Sequence, residues 1–312
     1  MLPLFLLLLA LAGCFREEYG FCPAPYNVTL RYRLPDGAGG DAFRQNISRV
    51  TAAVYDQSGA LVQTVSTTDT DHASFQGIRL NLDPGTYRVI AWGNAGANTV
   101  LNNIMGTYTD GATTVTYNNL LTGTVGNGDP VYYAPSTVQT RSGNADGEFV
   151  ITLADGESYE GTIDFRSAYR HVEVFVKGFE SNGVTTPTVE LTGLPPGLTF
   201  LGMDPITGAI LVTSRIDTQS VTVDEGGVNV TYSLAAFDIF YLDLADYDIG
   251  INVIDPNTGH IVYTTKMNDH IDPDSDDPDK IVIRIKIEFL NGIVTVTIPG
   301  WNSGDVDWGF FD

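Results

Sequence analysis

Apolar and polar positions alternate along most of this chain with a period of two, the signature of strands with one buried face. Val28, Leu30, Tyr32 and Leu34 alternate with Thr29, Arg31 and Arg33. Val50, Ala52 and Val54 repeat the pattern, and Asp56-Gln57-Ser58-Gly59 turns the chain into Leu61–Val65. Leu80 and Leu82 run through the turn Asp83-Pro84-Gly85 to Tyr87, Val89 and Ala91, and Phe149, Ile151 and Leu153 close this first series. A second series begins near Gly161, with Val172, Val174 and Val176 facing one way and His171, Glu173, Phe175 and Lys177 the other. Ile210–Thr213, Val228–Leu234, Ile249–Ile254 and Ile261–Thr265 add further strands. The cleanest alternation is Ile281, Ile283, Ile285, Ile287 and Phe289, which Asn291-Gly292 turns back into Val294, Val296 and Ile298. Asn-Gly supplies the two positive-φ residues that a tight hairpin demands.

Short strands separated by Gly, Pro and Asp turns predict an all-β protein built of antiparallel sandwiches. About 300 residues exceed what one hydrophobic core organises, so two domains are expected. The pattern divides them as 25–158 and 159–312, joined around Ala154-Asp155-Gly156-Glu157. The stretch Ala95–Thr114, rich in Gly, Asn and Thr, reads as a long surface loop of the first domain with a short helical turn at Leu101–Met105.

The first thirteen residues, MLPLFLLLLALAG, precede Cys14. Their apolar run is the length of a signal-peptide core and falls short of the roughly 20 residues that span a bilayer. Leu11-Ala12-Gly13-Cys14 matches a bacterial lipobox, in which small residues let the peptidase reach the backbone beside a lipid-modified thiol. Residues 1–13 are therefore expected to be a lipoprotein signal peptide, Cys14 the lipidated residue and 14–24 a tether into the outer membrane. Arg16-Glu17-Glu18 behind the cysteine resembles a surface-export signal of Bacteroidetes lipoproteins.

Charge and composition narrow the chemistry. A net charge of −22, from 38 acidic and 16 basic residues, repels polynucleotides and argues against nucleic acid as a partner. Only Cys14 and Cys22 are present, so lipidation of the first leaves no disulfide framework, and Cys22 lies in Gly20-Phe21-Cys22-Pro23 without a nearby His to activate it. His72, His171, His260 and His270 show no metal-binding spacing, and no nucleophile elbow or phosphate-binding loop occurs. No cofactor and no enzymatic activity are expected. Asp272, Asp274 and Asp276 form the one ligand-like cluster, a weak Ca²⁺ candidate because the loop lacks both the turn glycine and the closing glutamate of an EF-hand.

Several of these features occur together in one family. They are Cys14, Cys22-Pro23, the turn-strand Leu82-Asp83-Pro84-Gly85-Thr86-Tyr87-Arg88-Val89-Ile90-Ala91-Trp92-Gly93-Asn94, Ile163-Asp164-Phe165-Arg166 with the strand Val172–Val176, and a closing hairpin that ends in Pro299-Gly300-Trp301-Asn302. In order and spacing the chain resembles the FimB-type fimbrial anchor lipoproteins of Bacteroidales, the fimbrillin-associated anchor proteins. The resemblance implies two transthyretin-like sandwiches, anchorage through Cys14, and fimbrial shaft or accessory subunits as partners that dock by strand pairing. It carries over no catalytic residue and no partner-contacting residue.

A second reading, from a different class, is a surface lipoprotein that binds glycans for nutrient capture, with Trp92, Tyr108, Tyr132, Tyr133, Trp301 and Trp308 as candidate stacking platforms, although Trp92 and Trp301 end strands and read as core or interface caps. Within the fimbrial reading, a shaft subunit would be cut after Arg44 or Arg49, between the first two strands; an anchor is expected to escape this, since the cut would separate lipid from body. The apolar end Asp307-Trp308-Gly309-Phe310-Phe311-Asp312 packs either on its own domain or on a neighbour.

Overall fold

A computed structural model describes residues 26–36, 38–108, 114–134, 149–199, 205–206, 211–242, 247–270 and 282–297. Among them, 22 strands form five sheets, with two short helices, α1 (Phe43–Asn46) and α2 (Asp69–Ser74). The protein is all-β.

The first sandwich sets a three-stranded sheet against a six-stranded one. In the smaller, β1 (Val28–Arg33) lies between β4 (Gly77–Leu80) and β11 (Tyr159–Asp164). In the larger, β5 (Gly85–Gly93) is the hub, pairing with β2 (Arg49–Asp56) on one edge and with β9 (Tyr132–Tyr133) and β10 (Phe149–Leu153) on the other. β3 (Leu61–Thr68) extends the sheet beyond β2, and β12 (Arg166–Ser167) extends it beyond β9. Val28, Leu30 and Tyr32 of β1 meet Val50, Ala52 and Val54 of β2 and Val89 and Ala91 of β5, with Phe43, Ile151 and Phe165 filling the ends. Each such buried side chain contributes about 1.5–3 kcal/mol of transfer free energy, so the alternation itself selects this face.

The second sandwich pairs two five-stranded sheets. One runs β17 (Gln219–Asp224), β18 (Asn229–Phe240), β13 (Tyr169–Lys177), β21 (Val282–Leu290), β22 (Ile293–Thr297). The other runs β20 (Ile261–Lys266), β19 (Gly250–Ile254), β14 (Thr188–Leu194), β16 (Val212–Asp217), β8 (Thr124–Val125). Val172, Val174, Val176, Ile283, Ile285 and Ile287 face Val189, Leu191, Ile251 and Val253 across its core. A small sheet of β6 (Thr99–Asn102), β7 (Thr114–Tyr117) and β15 (Gly197–Thr199) completes the set.

The division of the chain differs from the sequence pattern in two places. β11, expected to open the second domain, pairs instead with β1 in the first sandwich, and β12 returns to β9; the chain crosses over only at Ala168, which is fully buried. The segment after Asn94, expected to be a surface loop, leaves the first sandwich and supplies β8 to a sheet of the second, while Leu101 lies in β6, not in a helical turn. Ala95, Val115, Tyr117, Val125 and Val131 share one core with the second sandwich and with Ala53, Tyr55, Ile90 and Trp92, which lie on the far face of the β2–β5 sheet. That sheet is covered on both faces, which explains why Ala52-Ala53-Val54-Tyr55 and Val89-Ile90-Ala91-Trp92 read as unbroken apolar runs. The sheets are also mixed: β1–β11, β13–β21 and β8–β16 are parallel pairs.

Candidate docking surface

Asn27 immediately precedes β1. Its side chain closes a two-way bond with Leu82, donating to the carbonyl at 2.6 Å and accepting from the amide at 2.9 Å. Its backbone accepts from Tyr159 N–H at 2.8 Å and donates to Leu80 at 3.1 Å. The strand that follows is gripped on both edges and buried through Val28, Leu30 and Tyr32. Arg44 is exposed on α1, whereas Arg49 opens β2 and is paired to β3. Cys14, the tether 14–24 and Cys22 lie outside the described residues, as do Asp272, Asp274, Asp276, Trp301, Trp308 and the chain end at Asp307–Asp312.

Along one side of the second sandwich the described residues leave inward-pointing side chains half-buried. Among the described residues β20 and β22 are edge strands, each paired on one side. Tyr263 and Thr265 on β20, and Phe289, Val294 and Val296 on the β21–β22 hairpin, point towards the core yet are only half-buried. The rings of Tyr263 and Phe289 meet across the gap with centroids 6.1 Å apart. Around this seam Ile261, Val262, Leu290 and Ile293 are exposed, from 44% to 69%. β22 reads Ile-Val-Thr-Val-Thr, with no charge, proline or bulge, the devices by which edge strands are normally blunted.

The outer face of the β13–β18–β21 sheet is charged and tightly paired. His171 Nδ1 lies 2.7 Å from Asp238 Oδ1 and its Nε2 lies 3.7 Å from Glu173, which in turn accepts from Arg284 at 2.7 Å. The hydrogen bonds to Asp238 and Glu173 raise the His171 pKa to about 9, and the His171 bond lowers that of Glu173. This imidazole is an ion-pair member at neutral pH, not a free base.

The remaining candidates are structural. Trp92 and Tyr133 are buried with ring centroids 5.1 Å apart, Tyr132 is buried against Tyr169, and Tyr108 is half-buried over Tyr55, so these four present no platform for a sugar. His72 is buried beside Phe43, with Thr67 Oγ1 at 2.8 Å; burial lowers its pKa. His260 is exposed in the β19–β20 turn, and His270 is half-buried with Thr265 Oγ1 at 2.7 Å. One residue escaped sequence reading. Asp129, only 5% exposed, accepts from the amides of Gly96, Ala97, Asn98 and Thr99 at 2.8–3.2 Å and from Thr99 Oγ1 at 2.6 Å. It fixes the point where the chain leaves β5 for the second sandwich. The only signal was an Asp inside the turn-forming run Gly126-Asn127-Gly128-Asp129-Pro130.

Two packed sandwiches, with a seam whose inward side chains are half-buried among the described residues, define an all-β protein. The chain belongs to the family of fimbrillin-A associated anchor proteins Mfa1 and Mfa2, whose model matches residues 19–307. No curated protein matches it. Among solved structures, a candidate adhesin from Bacteroides thetaiotaomicron aligns with a TM-score of 0.63 at 18% identity, covering 90% of this chain and 98% of its own. The fimbrial anchor protein Mfa2 from Porphyromonas gingivalis aligns at 0.56 and 16% identity, covering 88% and 97%. A candidate polysaccharide-binding protein, also from B. thetaiotaomicron, aligns at 0.62 and 10% identity, covering 88% and 96%. At these identities the structures share the fold.

Proposed function

We propose that this protein is a non-enzymatic fimbrial anchor: lipid on Cys14 holds it to the outer membrane, and the second sandwich docks a fimbrial subunit by strand pairing. Family membership over residues 19–307 carries the reading. The lipobox supports the membrane end, since each buried methylene contributes about 0.8 kcal/mol and several acyl chains make release rare. The seam between β20 and β22 supports the docking end. An extended segment with alternating apolar residues would complete the ladder of β22 and cover Tyr263, Phe289, Val294 and Val296. Main-chain bonds supply affinity in such pairing, and the alternating side chains set its register.

The test is affinity purification of the tagged protein from outer membranes in mild detergent. Fimbrial subunits retained in stoichiometric amount are the expected result. Their absence, together with saturable binding to a polysaccharide in isothermal titration, would replace this reading with glycan capture.

A further inference from the structure

Resting on the anchor reading, we propose that β1 and β11 form a shear clamp that carries mechanical load from the second sandwich to the lipidated N-terminus. β1 and β11 run parallel, in register from Val28↔Tyr159 to Arg33↔Asp164. The tether joins β1 at its N-terminal end. The C-terminal end of β11 leads through Phe165, β12 and Ala168 into β13, the middle strand of its sheet. Tension that reaches the second sandwich through this connection pulls these neighbours in opposite directions along their own axes.

Direction decides the outcome. Inter-strand hydrogen bonds lie across the strands, so sliding one strand along the other strains every bond of the ladder together. In an antiparallel pair the same two attachment points would sit at one end, and the bonds would open one after another. Parallel pairing is the arrangement in which this connectivity resists pulling. Among the described residues β4 is the other partner of β1 in the sheet, and that ladder, from Val28↔Leu80 to Arg31↔Gly77, is strained along the same axis.

Both ends of β1 are also pinned by side chains. At the entry, Asn27 holds Leu82 through two hydrogen bonds, of 2.6 and 2.9 Å. At the exit, Arg33 grips Asp164 of β11 with a two-pronged contact, Nε at 2.7 Å and a terminal guanidinium nitrogen at 2.6 Å. Beyond it, the Phe165 amide donates to the Arg33 carbonyl at 2.7 Å. The Arg33 side chain is 51% exposed, so its ion pair adds little to equilibrium stability. Placed at the end of a sheared ladder, it nevertheless must break before the strands can slide. The clamp predicts a separation between mechanical and thermal resistance.

Single-molecule force spectroscopy on the full chain tests it, with one handle at Cys14 in a Cys22→Ser background and the other at Val228→Cys, an exposed site on the second sandwich. The combined Arg33→Ala, Asp164→Ala variant is expected to lower the rupture force at fixed loading rate while shifting the melting temperature little, because the pair it removes is solvent-exposed. Val174→Ala, in the core of the second sandwich, is expected to do the reverse, lowering the melting temperature and leaving the first-sandwich rupture force intact. An unchanged force in the double variant overturns the clamp, and so does an equal loss in Val174→Ala. The measurement needs neither lipid nor fimbria. A failed clamp leaves the anchor reading standing, and an unlipidated Cys14 leaves the mechanical result intact.

Discussion

Replacing Asp129 by alanine tests how the two sandwiches are joined. The carboxylate gathers the amides of Gly96, Ala97, Asn98 and Thr99 and the Thr99 hydroxyl, at the point where the chain leaves β5 for β6. Gly96, Ala97 and Asn98 are exposed, so water satisfies their amides once the carboxylate is gone. Thr99 is buried, and its amide and hydroxyl lose their acceptor without replacement. Each buried donor left unmatched costs about 1–3 kcal/mol, which gives about 3 kcal/mol for Asp129→Ala. Asp129→Asn keeps one acceptor oxygen and is expected to lose about half as much. For a chain of this size that corresponds to a fall of roughly 6–12 °C in melting temperature for the alanine variant. Calorimetry and urea unfolding measure both variants, and amide exchange locates the loosening at Thr99–Asn102. An Asp129→Ala protein within about 0.5 kcal/mol of wild type would refute the assignment of Asp129 as the joint.

Two further outcomes follow from the second sandwich. His171 has its pKa raised to about 9 by Asp238 and Glu173, so its stabilisation is complete below about pH 6.5 and is lost as pH rises through 9; after solvent screening it amounts to about 1–2 kcal/mol, and thermal melts from pH 6 to 9.5 should show the decline in wild type but not in His171→Gln. Val294→Lys puts an ammonium on the face that a docked strand would cover, and it should cut retention of the fimbrial partner at least about ten-fold where Val294→Ala retains it, measured by co-purification; equal retention would move docking to another edge.

The sequence is most legible where one face of a strand is buried. Val28, Leu30 and Tyr32 point into the first core, and Val172, Val174 and Val176 into the second, as their alternation implies. The Asn291-Gly292 hairpin sits between β21 and β22, where the turn chemistry requires it. What stayed hidden is non-local. Nothing near Tyr159–Asp164 announces a parallel partner that lies 131 residues back along the chain, because the register of such a pair is written in neither strand alone. The packing of residues 95–108 and 114–131 against the second sandwich was masked by polar composition: Thr99 and Thr114 are buried, so strands in contact with the core read as loop. Of the candidate docking surface, β22 was legible as an alternating, uncharged strand, but its place at a sheet edge was not. That its inward side chains are half-covered depends on where the opposing sheet ends, which only the packed structure reveals.

Membrane attachment through Cys14 underlies every part of the proposed function. Metabolic labelling of cells with a fatty-acid probe, comparing wild type with Cys14→Ala, tests that most directly. The expected result is label on the wild-type protein alone, with the variant recovered outside the membrane fraction. Equal labelling of both, or a variant that stays membrane-bound, would contradict it.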